Sequence, residues 1–423
     1  MSGTIGSNIL SHSGTVAETA AGLNWVSTVV TASTVTVEAG NGYWINTTSN
    51  ACTITLPASA EAGDNIVIVD FARTWGTNNV TLDSNGLNFQ GNADTYEVKY
   101  TTSGQSVNLI YSDSTKGWIP LEDDVVADEP EAPQTQKAIF AYGLNAAENP
   151  FSTSNLVNSS GVVAANVTGV GTARRSLAAS SYGGDKAFFA FGNSGGNTKV
   201  NTKNLVNNSG VVGADVTGVG TARQNLASAS YGGDKAIVAY GNSGSLSNLS
   251  NLVSNSGVVA TDTTGVGTAR ADMAGVKYGS DKAIFAYGYS NQNLSLSNLV
   301  TSLGVVGTDV SGVGTARETQ AAPYGVDTAA AAYGQGDSGY LNVKNLINNS
   351  GVVGADVSGV GTARYGVGSA GYGGDKGIFA YGATGSILSM SNLMNNVGVI
   401  AADVSGVGTA RRYGVAAGFS YSA

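Results

Sequence analysis

The hexapeptide Gly169-Val170-Gly171-Thr172-Ala173-Arg174 decides the fold, because it returns five more times along the chain. The later copies end at Arg223, Arg270, Arg317, Arg364 and Arg411, so the arginines are 49 and then four times 47 residues apart. A phrase that recurs at such a period is typical of a propeller or a solenoid.

A second phrase, Lys137-Ala138-Ile139-Phe140-Ala141-Tyr142-Gly143, recurs once in each unit, as the first phrase does. It recurs at Lys186, Lys235, Lys282 and Lys376, and in altered form at residues 328–334. It precedes the first arginine phrase, and only residues 412–423 follow the last one, so the array begins and ends within a unit. Half-units in an open row would leave unpaired strand edges, which proteins avoid. We therefore predict an all-β, six-bladed β-propeller over residues 137–423, with residues 137–143 completing the blade of residues 412–421.

The unit that begins at Arg223 predicts how one blade is built. Residues 225–231 form a strand, residues 232–234 a glycine-containing turn and residues 235–240 a second strand, which together make a hairpin. Residues 251–253 and 257–260 supply two more short β segments before the next arginine phrase. This pattern predicts four strands per blade.

Composition excludes several classes of site. The chain has one cysteine, Cys52, and one histidine, His12, so we expect no disulfide framework, no metal site and no cofactor. No apolar run approaches the roughly 18–20 residues that cross a bilayer, and the first residues lack the basic start of a signal peptide. We expect neither membrane insertion nor secretion.

Charge divides the chain near residue 130. Residues 1–136 carry 3 basic and 15 acidic side chains, whereas residues 137–423 carry 17 basic and 14 acidic ones. All four tryptophans lie in the first part. A net charge of only +3 on the second part argues against a nucleic-acid partner.

Besides the predicted propeller over residues 137–423, three segments are predicted from this division. Residues 1–24 are small and polar and form either a docking arm or a simple extended terminus. Residues 25–121 form an all-β domain, with strands at 29–31, 34–37, 52–56, 65–70, 80–82 and 107–111, and turns at 41–42, 62–64 and 85–86. Residues 122–136, with six acidic side chains and two prolines, form an extended linker that is a spacer rather than a binding motif.

Part of the first domain resembles a known family. The order Thr53-Ile54-Thr55-Leu56-Pro57, Ala62-Gly63-Asp64, Thr74-Trp75-Gly76, Asn108-Leu109-Ile110-Tyr111 and Lys116-Gly117-Trp118 resembles a β module of tailed-bacteriophage tail fibres and related virion appendages. The resemblance covers roughly residues 40–121. It implies a small sandwich-like structural module, often trimeric, that carries no known catalytic residues.

The repeats resemble Kelch units. In those units, an arginine precedes a strand of small residues, a glycine-containing turn and a strand that ends in an aromatic residue and glycine, as residues 223–241 do. Residues 137–423 contain no tryptophan, which Kelch units usually carry. The repeats are also similar to tandem units of phage structural proteins.

The repeated charged residues are interpreted as structural. An acid stands eight residues before each of the arginines Arg223, Arg270, Arg317, Arg364 and Arg411, and Asn166 takes that place before Arg174. A side chain present in every blade cannot form one asymmetric site, so we expect the arginines to bind turn carbonyls or the aspartates rather than a ring of ligands. The Gly-Asp-Lys turns are interpreted as hairpin turns.

Function is expected where the units differ. The segments after each aromatic-glycine pair vary in length and bring candidate ligand-binding residues, namely Phe151, Asn197, Tyr289, Asn291, Gln292, Asp337 and Tyr340. The positions just after each arginine vary as well, at Arg175, Gln224, Asp272, Glu318, Gln320, Tyr365, Arg412 and Tyr413, of which Arg412 and Tyr413 are further candidates. Polar and aromatic loops on a rigid ring suit a sugar or a protein surface, although ordinary drift of surface loops gives the same pattern.

No enzyme signature is found. The sialidase pattern Ser-x-Asp-x-Gly-x-Thr-Trp is absent. Most acids of the repeats fall at repeated positions and do not form the distinct pair that a glycosidase requires. Gly-Val-Gly opens a turn among strands rather than a helix, which does not support nucleotide binding. We therefore expect a non-enzymatic protein of a phage virion, a trimeric tail fibre or appendage that is attached to other virion proteins by its arm and binds a host glycan or protein. A capsid or tail decoration subunit without receptor binding, and a secreted propeller lectin, are the alternatives.

Overall fold

The computed structural model describes residues 9–12, 15–18, 23–94, 98–121 and 134–423. The chain divides into two compact units, Met1–Ala132 and Pro133–Ala423. Both are built from strands, so the all-β prediction is confirmed, and the described residues include no helix. No helix long and apolar enough to cross a membrane occurs among them.

The described residues of the first unit form eleven strands. In chain order they are β1 (Ile9–His12), β2 (Thr15–Glu18), β3 (Asn24–Trp25), β4 (Thr34–Thr36), β5 (Asn41–Ile45), β6 (Cys52–Thr55), β7 (Asn65–Asp70), β8 (Val80–Asp83), β9 (Val98–Tyr100), β10 (Ser106–Tyr111) and β11 (Trp118–Pro120). β1 and β2 form an antiparallel pair. The others form a five-stranded sheet, in the order β11-β10-β7-β5-β3, and a four-stranded sheet, in the order β4-β6-β8-β9.

The chain of this unit alternates between its two large sheets. β3, β5 and β7 are parallel neighbours in one sheet, and β4, β6 and β8 are parallel neighbours in the other. Each parallel connection therefore passes through the opposite sheet, which gives three stacked turns of a short β-solenoid capped by antiparallel strands. Both sheets contribute to one apolar core, in which Trp75 and Trp118 are fully buried.

The predicted strands of this unit are largely found, but one predicted turn is wrong. Turns occur at 62–63 and 85–86 as expected, whereas Asn41-Gly42 begins β5. That strand pairs in parallel with β7, and such a non-local pairing overrides the local turn preference of Asn-Gly. The predicted docking arm and acidic linker lie largely outside the described residues.

The second unit has eighteen strands. They are β12 (Lys137–Ala141), β13 (Ser154–Val157), β14 (Ala178–Tyr182), β15 (Lys186–Ala190), β16 (Lys203–Val206), β17 (Ala227–Tyr231), β18 (Lys235–Ala239), β19 (Ser250–Val253), β20 (Ala274–Tyr278), β21 (Lys282–Ala286), β22 (Ser297–Val300), β23 (Glu318–Tyr324), β24 (Thr328–Gly336), β25 (Gly339–Ile347), β26 (Gly368–Tyr372), β27 (Lys376–Ala380), β28 (Ser391–Met394) and β29 (Val415–Phe419).

These strands form six antiparallel sheets of three strands. Five of them consist of consecutive strands, from β14-β15-β16 to β26-β27-β28. The sixth has the order β13-β12-β29 and so joins the two ends of the repeat array. Its central strand β12 pairs with β29 over the full length of both strands, from Lys137 opposite Phe419 to Ala141 opposite Val415.

The first strands of successive sheets lie side by side. β14 contacts β17, β17 contacts β20, β20 contacts β23, β23 contacts β26 and β26 contacts β29, and β29 in turn contacts β14. The middle strand of each sheet is buried, and apolar clusters connect neighbouring sheets. Residues 134–136, predicted as the end of the linker, are held by this unit, since Gln136 donates to the carbonyl of Ser420 and accepts from the amide of Gly373.

The predicted fourth strand of each unit is not a full strand. In the sheet β13-β12-β29, the outer segment makes isolated bridges only, between Ser154 and Val167 and between Val157 and Val163, and the other units repeat this pattern. Valine follows a left-handed glycine at the start of each outer segment and is about half to two-thirds exposed. Each outer segment is thus attached to its sheet by two isolated bridges and does not form a continuous strand.

Candidate functional site

Each repeated arginine is buried, and all of them except Arg223 donate to backbone carbonyls of their own sheet. Arg270 donates through Nε to the carbonyl of Tyr287 at 2.9 Å and through Nη2 to Oδ1 of Asn298 at 2.7 Å. It also donates through Nη1 to the carbonyl of Thr268 at 3.1 Å. A planar fork of donors is suited to several fixed acceptors, and burial lowers the pKa of Arg270 without a ligand being involved.

The same arginines connect one sheet to the next. Arg270 lies over the ring of Tyr240 from the preceding sheet, at 4.5 Å from the ring centroid, and the Tyr240 hydroxyl donates to the carbonyl of Val266 just before Arg270. Equivalent pairs occur at all six positions, and Arg411 lies over Tyr381 while it binds Asn155 and the carbonyl of Thr153. We call this arrangement the arginine clasp.

The interpretation of the arginines as structural agrees with these contacts. The nearest aspartate belongs to the following repeat, since Nη1 of Arg174 lies 3.8 Å from Asp215. Asp215 also accepts from Thr172, through the amide at 2.9 Å and the hydroxyl at 2.5 Å. At the last clasp, Asn166 takes the place of the aspartate and accepts from the amide of Thr409.

A belt of backbone hydrogen bonds connects the residues that stand two positions after the arginines, with five of its six links formed. The amide of Asn225 donates to Ser176, that of Asp272 to Asn225 and that of Thr319 to Asp272, all through carbonyl oxygens at 2.9–3.2 Å. In the same way, Tyr413 donates to Gly366, and Ser176 donates to Tyr413, which links the last repeat to the first. The variable positions after the arginines therefore converge around one cavity.

This cavity is small and acidic. It has a volume of about 50 Å³ and is lined by residues that include Asp272, Glu318, Gln320 and Tyr413. Nδ2 of Asn225 donates to Asp272 at 2.5 Å, and among the described residues no ion pair connects Asp272 or Glu318 to a lysine or arginine. Burial raises the pKa of both carboxyls, and the charge of Asp272 raises that of Glu318 further. Such a pair holds a proton near neutral pH.

Tyrosines extend from the cavity across the face that carries the variable segments. The ring of Tyr413 meets the edge of Tyr365 at 5.8 Å, and Tyr365 stacks on Tyr340 at 4.9 Å with an interplanar angle of 13°. Arg412 lies over the rings of Tyr365 and Tyr413, donates to the Tyr365 hydroxyl and pairs with Glu148 at 2.6 Å. We call these five residues the aromatic strip.

An extended hairpin positions Tyr340. β24 and β25 are nine residues long and pair as far as Gly336 and Gly339, whereas the corresponding strands of the other sheets are four or five residues long. At Gly334 the chain passes close to β23, because its φ is +120° and a Cβ there would lie 1.8 Å from the carbonyl oxygen of Glu318. Gln335 of β24 lies opposite Glu318 of β23 on one side and opposite Tyr340 of β25 on the other, so one sheet positions both residues.

The structure brings some of the predicted ligand-binding residues together and not others. Tyr340, Arg412 and Tyr413 belong to the aromatic strip. Asp337 accepts from Asn293 at 2.6 Å, which connects its turn to the segment that carries Tyr289, Asn291 and Gln292, all three exposed. Asn197 is exposed and lies on a different sheet, and Phe151 packs against the clasp residue Arg411 at 4.8 Å.

Two groups of residues in this region were not predicted as site residues from the sequence. Asp272 and Glu318 were recognised as variable positions but not as a pair, since 46 residues separate them and only the belt makes them neighbours. Glu148 was missed because its partner Arg412 lies at the other end of the array. The usable signal was that these acids stand outside the repeated aspartate position.

The aromatic strip can stack a flat apolar surface and exchange hydrogen bonds with hydroxyl groups. The described residues include no group of three or more histidine, cysteine, aspartate or glutamate side chains that could hold a metal ion. In comparisons with known proteins, no family model matches the chain, and no curated protein matches it at a significant level.

Proposed function

We propose that the chain is a structural protein of a tailed-bacteriophage virion, a fibre or tail appendage whose second unit is a six-bladed β-propeller that binds the host surface. The resemblance of residues 40–121 to a tail-fibre module supports the virion assignment, and in that setting the first unit attaches to other virion proteins and trimerises. The protein is not an enzyme in this proposal, since the cavity that holds the acid pair is smaller than the roughly 300 Å³ of ordinary ligand pockets.

Three observations support the propeller. The joined sheet β13-β12-β29, the belt of amides from Ser176 to Tyr413 and the clasp of Arg411 on Asn155 each connect the end of the array to its beginning. In an open row of six units, the last unit would lie far from the first, and these three contacts between them could not form.

A cross-link tests the closure. In a Cys52→Ser background, Ala141→Cys and Val415→Cys lie opposite each other on β12 and β29, so we expect them to form a disulfide during oxidative refolding. Ala141→Cys with Ala416→Cys is the matched control, because successive side chains of a strand point to opposite faces. Equal cross-linking of both pairs, or of neither, would contradict the proposed closure.

The aromatic strip is the observation that carries the recognition role. It is built from positions that break the repeat, and it lies on one part of the variable face, as a single asymmetric binding site requires. Arg412 and Arg175 occupy equivalent positions of the last and first repeats, but only Arg412 belongs to the strip.

An adsorption assay tests the recognition role. The labelled full-length chain is mixed with a panel of bacterial strains, and saturable binding to at least one strain is expected. Arg412→Ala should weaken this binding, whereas Arg175→Ala should leave it unchanged. If no strain is bound, or if both variants behave alike, the chain does not recognise a host through this surface.

A second candidate function is supported by the exposed valines. Val162, Val211, Val258, Val305 and Val352 are each about 60 % exposed, and Val399 is 54 % exposed, at equivalent positions of the six outer segments. A regular set of apolar side chains on edge segments suits packing against neighbouring subunits, as in a decoration protein without receptor binding. If this function is correct, replacing these valines by threonine should abolish self-association in sedimentation experiments. If it is not correct, the replacement should leave cell adsorption intact.

A further inference from the structure

The surface of the aromatic strip defines the kind of ligand it can take. Tyr340 is 40 % exposed, and one face of its ring stacks on the buried ring of Tyr365. The support is itself fixed, because Tyr365 also receives a hydrogen bond from Arg412 and meets the edge of Tyr413. Tyr340 therefore presents a flat, preorganised ring on the variable face.

Polar groups of both kinds lie next to Tyr365, the ring on which Tyr340 stacks. Arg412 supplies N–H donors, and the exposed carboxylate of Glu148 supplies acceptors, one of which Arg412 already occupies. A pyranose ring offers a matching chemistry, since its C–H face is apolar and weakly positive while its rim carries hydroxyl groups that donate and accept. An aromatic face carries partial negative charge and attracts such C–H groups.

Charge decides between neutral and acidic sugars. The cation of Arg412 is neutralised by Glu148 at 2.6 Å, and Asp272 and Glu318 place further carboxyls beyond Tyr413 without a cationic partner among the described residues. An anionic group on the ligand would meet net repulsion here. The axial cavity of about 50 Å³ holds a few water molecules and not a sugar ring, so a saccharide must lie across the surface.

We propose that the aromatic strip is a binding site for a neutral glycan, in which one sugar ring stacks on Tyr340 and hydroxyls of the glycan bind Arg412 and Glu148. This proposal rests on the recognition role given above and narrows its ligand from any surface component to uncharged saccharides. A protein partner is less suited, because stable protein interfaces need about 800 Å² on each side and the strip offers a single exposed ring.

Titration of the full-length chain with soluble saccharides tests the proposal. The probes are neutral oligosaccharides of glucose, of galactose and of N-acetylglucosamine, with polysialic acid as the anionic comparison, and binding is followed by calorimetry and by saturation-transfer NMR. We expect at least one neutral probe to bind, and we expect Tyr340→Ala to weaken its binding by about tenfold or more, which corresponds to 1.4 kcal/mol.

Tyr289 is the matched control. It is also 40 % exposed and lies on the neighbouring variable segment, but no ring stacks beneath it in the described structure. Tyr289→Ala should bind the neutral probe as the unchanged protein does, and Tyr365→Phe, which keeps the stack and loses the hydroxyl, should lose only part of the affinity. Circular dichroism of each variant establishes that it is folded.

The outcomes separate this proposal from the proposed function. Binding of polysialic acid alone, or equal losses for the Tyr340 and Tyr289 variants, overturns the neutral-glycan site. If cells are adsorbed and the Arg412 variant fails to adsorb, but no saccharide binds, the recognition role stands and only the glycan assignment falls. If neither cells nor saccharides are bound, both proposals fail.

Discussion

The arginine clasps and the aromatic strip both pair an arginine with tyrosine rings, yet they differ in what surrounds them. In a clasp such as that of Arg270, the guanidinium is fully buried and is saturated by Asn298 and by backbone carbonyls. Arg412 is partly exposed, its Nε has no partner among the described residues, and its contacts come from residues present once. The contact between an arginine and a tyrosine ring is structural at the positions that every unit repeats. In the proposed function, it is available to a ligand at the positions where the repeat is broken.

The largest expected effect comes from breaking a clasp. Arg270→Ala leaves Asn298 and the carbonyls of Tyr287 and Thr268 without a donor in a buried site, so we expect the free energy of unfolding of the second unit to fall by about 3–5 kcal/mol. Urea denaturation followed by circular dichroism measures this loss. All four tryptophans lie in the first unit, so their fluorescence should be unchanged and serves as an internal control.

Arg175→Ala is the external control for this experiment. Arg175 is adjacent to a clasp arginine but is partly exposed, and its loss should change the stability by about 0.5 kcal/mol or less. A similar cost for the two variants would mean that the clasps are no more important to the fold than surface residues.

The next effect concerns the hairpin that carries Tyr340. Gly334→Ala places a Cβ against the carbonyl of Glu318 in a left-handed conformation, and we expect it to cost about 2–4 kcal/mol and to displace the strip. Gly339→Ala is the matched control in the same hairpin, since its φ of +127° is similar but nothing lies within 4 Å of the added carbon. Thermal unfolding of the two variants should differ clearly, and equal values would contradict the close approach.

The acid pair of Asp272 and Glu318 provides a further test, because its contribution to the stability of the second unit depends on pH. Because the pKa of Glu318 is raised to about 7 in the folded chain, the native state holds this proton more tightly than the unfolded state. The contribution to stability is complete at low pH and is lost as the pH rises from the ordinary carboxyl range through about 7. Glu318→Gln should therefore stabilise the second unit by on the order of 1–2 kcal/mol at about pH 8, with little gain at about pH 4.

Thermal unfolding of both proteins across that range measures the effect. A gain for the glutamine variant that is the same at every pH would show that packing, and not the proton, is responsible.

The smallest effect tests the one clasp that lacks a tyrosine. Arg223 lies over Phe191 at 5.3 Å, and its Nε and Nη1 have no hydrogen-bond partner within the described part of the chain. Phe191→Tyr should restore the hydroxyl that the other clasps use and add about 0.5–1.5 kcal/mol of stability. Tyr240→Phe should cause a loss of similar size, and urea midpoints of the pair would reveal any asymmetry.

The repeated strands could be predicted because their information is local. Glycine turns, alternation and the arginine phrase recur six times, so β17 and β18 lie within two residues of the predicted hairpin. The parallel solenoid of the first unit could not be predicted in this way, because strands such as β5 and β7 pair across intervening turns. The variable positions were identified, but which of them meet depends on the belt around the cavity, as for Asp272 and Glu318.

The place where the chain enters the second unit has a mechanical consequence. Lys137 begins β12, which is the middle strand of its sheet and is hydrogen-bonded on both sides, to β13 and to β29. A pulling force applied through the preceding residues would load two ladders in shear at once, after first breaking the anchors of Gln136 on Gly373 and Ser420. An appendage tethered at this point would resist extraction by tension far better than one tethered through an edge strand, from which hydrogen bonds can be peeled one at a time.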